Sequence, residues 1–288
     1  MEYLIHLAIL FAIYATLGVS LNLVVGYTGL LSVTHAAFYG IGAYTTAIFL
    51  TKSGVGFFSS LVSGIVIVVV ISFLIGVVLS KFKGDYYALV TFGFNTIIFA
   101  VFLNWQNLTN GSLGVPGICR PELFGINFAN NFNFLILSLI FFVLVYFASR
   151  FIVNSSFGRV LKAIREDETA IAVFGYKTLY FKLVIFIISA AMAAVAGSLF
   201  ASYITFIDPS SFQLTESMFI LVIIILGGLG NLRGSILGAL FLILLPEILR
   251  FVGFSSDIDA QMRQVVYGII LILLMLYRPQ GLIGEYKL

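Results

Sequence analysis

Apolar positions in this chain come in long blocks. Runs of roughly 20 residues, enough for a helix to cross a bilayer, recur at 4–25, 35–51, 57–80, 86–104, 132–149, 183–203, 214–227, 234–251 and 264–277. The pattern predicts an all-α polytopic integral membrane protein, one transmembrane domain over 1–288 with about eight to ten helices. Some runs are short, and 214–227 with 234–251 can form one broken pair. The first run, Tyr3 to Val25, lacks a basic flank and a small-residue cleavage site, so it reads as a retained helix.

The polar interruptions carry the organisation. One falls inside an apolar region: "GYTGLLSVTHAAFYGIGAY" at 26–44 holds four glycines, His35 and the hydroxyls Thr28, Ser32 and Thr34. Two others are long. Residues 105–131 are rich in Gly, Pro and Asn and predict an ordered turn-rich loop or a short hairpin. Residues 150–182 predict one or two short amphipathic helices, with Val160, Leu161, Ile164, Ile171 and Phe174 near helical spacing. Asp167 is placed to cap the second helix, and Gly175 suits its left-handed terminus.

Composition confirms the class: 61% of residues are hydrophobic and 9% charged, far from soluble domains. The net charge of +3 tells less than its placement. Setting 150–182 in the cytoplasm puts eleven basic residues inside and four, Lys52, Arg120, Arg250 and Arg263, outside. That places the N-terminus and the 105–131 loop outside and the C-terminus inside. Asn107 and Asn110 begin N-x-[ST] triplets, which matter only in a eukaryotic secretory pathway. Cys119 is the single cysteine, which excludes an internal disulfide and argues against a thiolate metal cluster.

Catalytic chemistry is hard to assemble. No G-x-x-x-x-G-K-[ST], H-E-x-x-H or G-x-S-x-G occurs, and the two histidines, His6 and His35, are a whole span apart. No cofactor is called for and nothing points to nucleic acid. Ion coupling usually needs ionisable groups within the spans, yet Glu216, Glu247 and Arg250 lie near predicted ends, and Glu247 and Arg250 can pair at i,i+3. The many phenylalanines read as lipid-facing bulk. "RPQG" at 278–281 reads as the end of the last helix, with Pro279 as breaker.

The 150–182 segment allows two readings, a basic helix gripping anionic lipid headgroups or a docking helix for a cytoplasmic partner. Its acidic Glu166, Asp167 and Glu168 oppose the first. In the first interruption, Ala36, Gly40, Ala43 and Ala47 have small-residue spacing for close helix approach, as do Gly230, Gly234 and Gly238. Each set follows a glycine-rich break, "VVGYTG" and "LGGLG", which points to an internal repeat around a central path. Ser32 or Thr34 is expected to cap the helix starting near His35, whose positive end then faces the path and favours a carboxylate. Ser32, Thr34, His35, Gly40, Gly227, Gly228 and Gly230 are the candidate path residues. Against this stands a plainer reading in which the glycines only pack helices, and His35 by itself reads better as a satisfied core residue.

Five blocks, the 26–44 stretch, "GDYYALVTFGFNTIIF" (84–99), the 158–203 stretch, "ILGGLGNLRGSILGAL" (225–240) and "YRPQGLIG" (277–284), resemble the branched-chain amino acid permeases of ABC importers, closest to the LivM-type subunit. Urea and short-amide permeases share much of the pattern and remain an alternative; a self-sufficient channel or secondary transporter is the rival from another class. The resemblance implies the membrane half of an importer in a prokaryotic plasma (inner) membrane. Its partners would be a second homologous permease, two cytoplasmic ATPases, an external binding protein, an amino-acid substrate and membrane lipid. The chain itself would be no enzyme. The coupling residues it implies are Arg159, Lys162, Arg165, Glu166, Asp167, Glu168, Ala170 and Gly175. Glu168, Thr169, Ala170 and Gly175 are only a loose version of the usual "EAA…G" coupling motif. On this reading, reversing Arg165 and Glu168 should uncouple ATP hydrolysis from transport.

Overall fold

The computed structural model describes residues 2–82, 84–123, 126–251, 265, 268–269, 272 and 280–283. Eight of the nine apolar runs form helices. They are α1 (Glu2–Thr28), α2 (His35–Lys52), α3 (Phe57–Leu79), α4 (Asp85–Asn104), α6 (Asn131–Asn154), α9 (Thr178–Ile204), α10 (Leu214–Gly227) and α11 (Leu232–Phe251). Of the 264–277 run only residues 265, 268, 269 and 272 are described, all helical, and the rest lies outside the described residues. Short helices α5 (Gln106–Thr109), α7 (Ser156–Glu166) and α8 (Glu168–Val173) complete the set.

The all-α, polytopic expectation holds. Among the described residues five helices, α1, α3, α4, α6 and α9, are long and apolar enough to cross a membrane, and α10 with α11 makes a sixth, bent by 118° at its break. The expected count of about eight to ten therefore includes two kinds of helix. α2 has 18 residues but is buried from His35 to Ala47, and α10 has only 14. Both are short because each adjoins a break in the chain.

α1 is the axis of the bundle. It is buried almost without interruption from Ala12 to Thr28 and touches α6, α9, α10 and α11. The outer helices α3, α4 and α6 turn Val66, Val70, Leu89, Ile97, Ile140 and Leu144 outward, an apolar surface of the kind lipid covers. Lipid tails remove the hydrophobic drive between helices, so close van der Waals packing must hold them together. The tightest seam joins α2 to α9: a Cβ on Gly42 would collide with the Ala194 backbone, and one on Gly197 with the Tyr39 carbonyl. The seam thus uses Gly42, one step off the expected Ala36–Gly40–Ala43–Ala47 stripe. Gly40 instead faces rings, with a Cβ there 2.7 Å from Phe102 and 2.9 Å from Phe212. Those rings join Tyr39, Tyr44 and Phe200 in one aromatic cluster. Phe73, Phe92, Phe132, Phe147 and Phe151 face outward, as the reading of the phenylalanines as lipid-facing bulk expects, while Phe38, Phe134 and Phe212 are exceptions, fully buried in the core.

The described residues of 105–131 form both a turn-rich loop and a short two-stranded pair. After α5 comes a 3-10 turn at Gly111–Leu113, then β1 (Val115–Pro116) and the hairpin β2 (Glu122–Leu123) with β3 (Ile126–Asn127). β1 pairs antiparallel with β4 (Phe206–Ile207), tying the loop to the α9–α10 connection. Arg120 adds a second tie, donating from Nη1 to Ala129 O at 2.6 Å and Asn131 Oδ1 at 2.8 Å, with its guanidinium 5.4 Å from the Tyr203 ring. Lys52 Nζ donates to Asn107 O at 2.8 Å, so the end of α2 lies at this same end of the bundle.

Candidate functional site

The 150–182 segment folds as the two helices its pattern predicts. Ser155 caps α7, its hydroxyl accepting from Gly158 N, and Asp167 caps α8, with Oδ1 accepting from Thr169 N at 2.9 Å and Ala170 N at 3.0 Å. The Thr169 hydroxyl and these amides favour the charged form and hold the Asp167 carboxyl below its ordinary range. Gly175 ends the unit at φ +88°. Leu161 and Ile164 are buried, as the spacing implies, and Leu161 enters a cluster with Val19, Leu23 and Tyr27 of α1.

The outward residues differ from those the sequence marks. Arg165 turns inward and donates from Nη1 to Gly26 O in the last turn of α1. Lys162 lies over the Tyr27 ring at 5.5 Å. Glu168 pairs with Lys182 at 2.6 Å and accepts from Thr178 Oγ1 at 3.1 Å, tying α8 to the start of α9. Arg165, which serves an orphan carbonyl in the last turn of α1, and Glu168, through its ion pair, therefore fasten the segment to its own protein. Reversing them would break the fold's own contacts, so that test would not isolate a partner. Arg159, Glu166 and Asp167 are exposed, and Ala170 is half-buried on α8. Phe174, expected on the apolar face, is 79% exposed beside Val173 at 87% and Tyr176 at 48%. This apolar tip was missed because period alone does not say which face is covered.

The first break is shorter than expected. α1 continues through Gly26 to Thr28, and the chain leaves the helix at Gly29, φ +72°. Thr34 stands at the N-cap of α2 with no side-chain cap bond; its hydroxyl and that of Ser32 lie 3.0 Å apart, bonded to each other. The expected cap by either residue is thus replaced from elsewhere in the fold. Ala36 N donates to Ser217 Oγ of α10 at 2.9 Å, and Ser217 donates to Asn95 Oδ1 of α4 at 3.3 Å. Val33 N donates to Thr91 Oγ1. His35 Nε2 is 2.7 Å from Ser20 Oγ. With Ser20 Oγ also bonded to Leu17 O, this pair gives the buried imidazole a partner inside the core, as the core-histidine reading expects. Ser32, Thr34 and His35 are all buried within this one chain.

The second break runs through Gly228 (φ +117°) and Gly230 (φ +75°). Here the small-residue spacing is used as expected: a Cβ on Gly227 would strike Gly234, and one on Gly238 would strike Ile223 O. Asn22 of α1, fully buried, holds the turn. Its Oδ1 accepts from Gly230 N at 3.0 Å, and its Nδ2 donates to Asn231 O at 3.0 Å and Ser235 Oγ at 2.6 Å. From the other side, Leu282 N donates to Leu226 O at 2.9 Å and Ile283 N to Gly227 O at 3.0 Å. The "RPQG" stretch thus leads into a strap across the break; Pro279 lies outside the described residues. Sequence reasoning missed Asn22, although an asparagine inside an apolar run was signal enough.

The comparisons with known proteins agree with this architecture. A family described as "Branched-chain amino acid transport system / permease component" matches residues 3–275. The chain is 35% identical to the high-affinity branched-chain amino acid transport system permease protein LivM of Escherichia coli (strain K12), over 97% of this chain and 69% of that protein. It is 24% identical to a probable branched-chain amino acid transport permease protein LivM of Methanocaldococcus jannaschii, over 96% and 91%. To the permease protein LivH of Escherichia coli (strain K12) it is 26% identical, over 94% and 91%. No solved structure matches. The apolar helices and these relatives make it a multi-pass protein of the prokaryotic inner membrane. The chain belongs to the branched-chain amino acid transport permease family.

Proposed function

We propose that this chain is one of two permease subunits of an ATP-driven importer that carries branched-chain amino acids delivered by an external binding protein. The observation that carries the reading is the match to the permease family from residue 3 to 275, supported by relatives named as branched-chain amino acid permeases. The chain carries no phosphate-binding G-x-x-x-x-G-K-[ST] sequence, so ATP hydrolysis falls to separate subunits.

The α7–α8 unit is the docking site for an ATPase in this reading. Its base is fixed by Leu161, Arg165 and Glu168, and the exposed Val173, Phe174 and Tyr176 at the end of α8 offer an apolar knob. The unit lies at the cytoplasmic end, the 105–131 loop at the outer end facing the binding protein, the N-terminus outside and the C-terminus inside. Ser32, Thr34, His35, Gly40 and the glycines of the second break act from inside the wall of the path, since the structure buries the first three and packs the glycines.

The test is gentle-detergent purification of the tagged chain from its native membrane, with co-purifying proteins identified by mass. The reading expects a second permease and one or two ATPases. Introducing Val173→Asp with Phe174→Asp should remove the ATPases and keep the second permease. Recovery of the chain alone, moving solute in liposomes without ATP, would overturn the reading in favour of a channel or secondary transporter.

A further inference from the structure

We propose that Asn22 is the positioning residue through which the α7–α8 unit governs the break between α10 and α11. The inference rests on the importer reading above and names the route by which a pull on that unit reaches the membrane interior.

Three contacts lie in series along the last two turns of α1. At the lower end, α7 is bound to α1 by Leu161 packed with Leu23 and Tyr27, by Lys162 over the Tyr27 ring, and by Arg165 on Gly26 O. The Arg165 stem also lies 3.3 Å from where a Cβ on Gly29 would stand. One turn further into the membrane, Asn22 grips the break with both ends of its amide, accepting from Gly230 N and donating to Asn231 O and Ser235 Oγ. Gly26 sits between the two grips: a Cβ there would be 2.6 Å from Gly230 N and would collide with Asn22 Oδ1. Leu232, which opens α11, packs in the same cluster as Leu161.

A helical turn is stiff, so displacing Gly26 also displaces Asn22 and its partners. The break is the compliant part. Two positive-φ glycines join arms bent by 118°, and a few residues at element ends are where hinge motion concentrates. The end of α10 is held by Leu282 and Ile283; Asn22 adds one long bond to Gly228 O at 3.4 Å, while its shorter bonds, to Gly230 N, Asn231 O and Ser235 Oγ, lie toward α11. Without the amide, Gly230 N would lose its acceptor and the two arms would follow α1 only through apolar contact.

The experiment uses the whole importer, permease pair, ATPases and binding protein, reconstituted in liposomes, and reads ATP hydrolysed per amino acid moved. Asn22→Leu keeps the branched shape with two bulkier ends and removes every side-chain hydrogen bond. The proposal expects an assembled complex that still hydrolyses ATP but uses about tenfold more of it per amino acid moved. Arg165→Leu should raise the ratio too. The double variant should be no worse than the worse single one, because both cut the same link, whereas two merely structural defects would compound. A leucine variant coupled as tightly as wild type overturns the proposal while leaving the importer reading intact; a wild-type chain that recruits no ATPase sinks the importer reading itself. Should Asn22→Leu fail to assemble, Ser235→Ala decides: it deletes one hydroxyl, and the proposal expects a rise of roughly two- to threefold, with an unchanged ratio counting against it.

Discussion

The two breaks in this bundle meet one problem in different ways. At Gly29–Thr34 the chain leaves α1 and starts α2; at Gly228–Asn231 it leaves α10 and starts α11. Both expose backbone groups that lipid cannot satisfy. The first is served by scattered neutral hydroxyls, Thr91 for Val33 N and Ser217 for Ala36 N, each from a different helix. The second is held by one amide on α1 and by a backbone strap at residues 282–283. Distributed support tolerates the loss of any one member. Support concentrated in one side chain fails all at once, and it also transmits the motion of its helix.

That contrast can be broken or sharpened by substitution. Gly26→Leu should have the largest effect, because its side chain would occupy the space of Asn22 Oδ1 and push Gly230 away. It should lower the stability of the purified chain by more than about 3 kcal/mol, read as thermal unfolding in detergent, and a small effect there would refute concentrated support. At the first break Ser217→Ala leaves Ala36 N without its acceptor and should remove about 1–2 kcal/mol by the same measurement. An effect as large as that of Gly26→Leu would mean that the first break is no better distributed than the second. Gly29→Ala forces a side chain into φ +72° beside Arg165 and should remove about 1 kcal/mol.

The mildest test lies outside the membrane. The Asp167 cap lowers that carboxyl's pKa, so its contribution is present above the ordinary carboxylate range and is lost as pH falls through the depressed value. Hydrogen exchange at residues 169–174, corrected for intrinsic rates, should therefore quicken only below about pH 4, and Asp167→Ala should show the fast rate at every pH. A cap whose loss leaves those amides unchanged would mean that Glu168 and Lys182 alone hold α8.

Helix positions, the broken pair and the Asp167 and Gly175 ends of α8 were legible because each rests on local rules: run length, glycine at a left-handed turn, and an acidic N-cap followed by free amides. Candidate site residues fared less evenly. Gly228 and Gly230 form the second break, and Gly227 ends α10 packed against Gly234. Ser32 and Thr34 failed as caps because Ser217, some 180 residues away in sequence, took the amide they were expected to serve. Arg165 and Glu168 looked like surface charges because nothing local reveals that Gly26 O and Lys182 wait for them.

The sequence by itself determined a membrane-embedded helical chain, where it is interrupted, and which family it resembles. Those follow from apolar run length, backbone freedom at glycine and residues in order, all of which are properties of neighbours along the chain. Only the tertiary structure decided who serves the freed backbone groups: Asn22 for Gly230, Ser217 for Ala36, residues 282–283 for the end of α10. The physical reason is that a hydrogen bond across a bundle depends on two helices meeting at one height and one rotation, and no local pattern encodes that pairing.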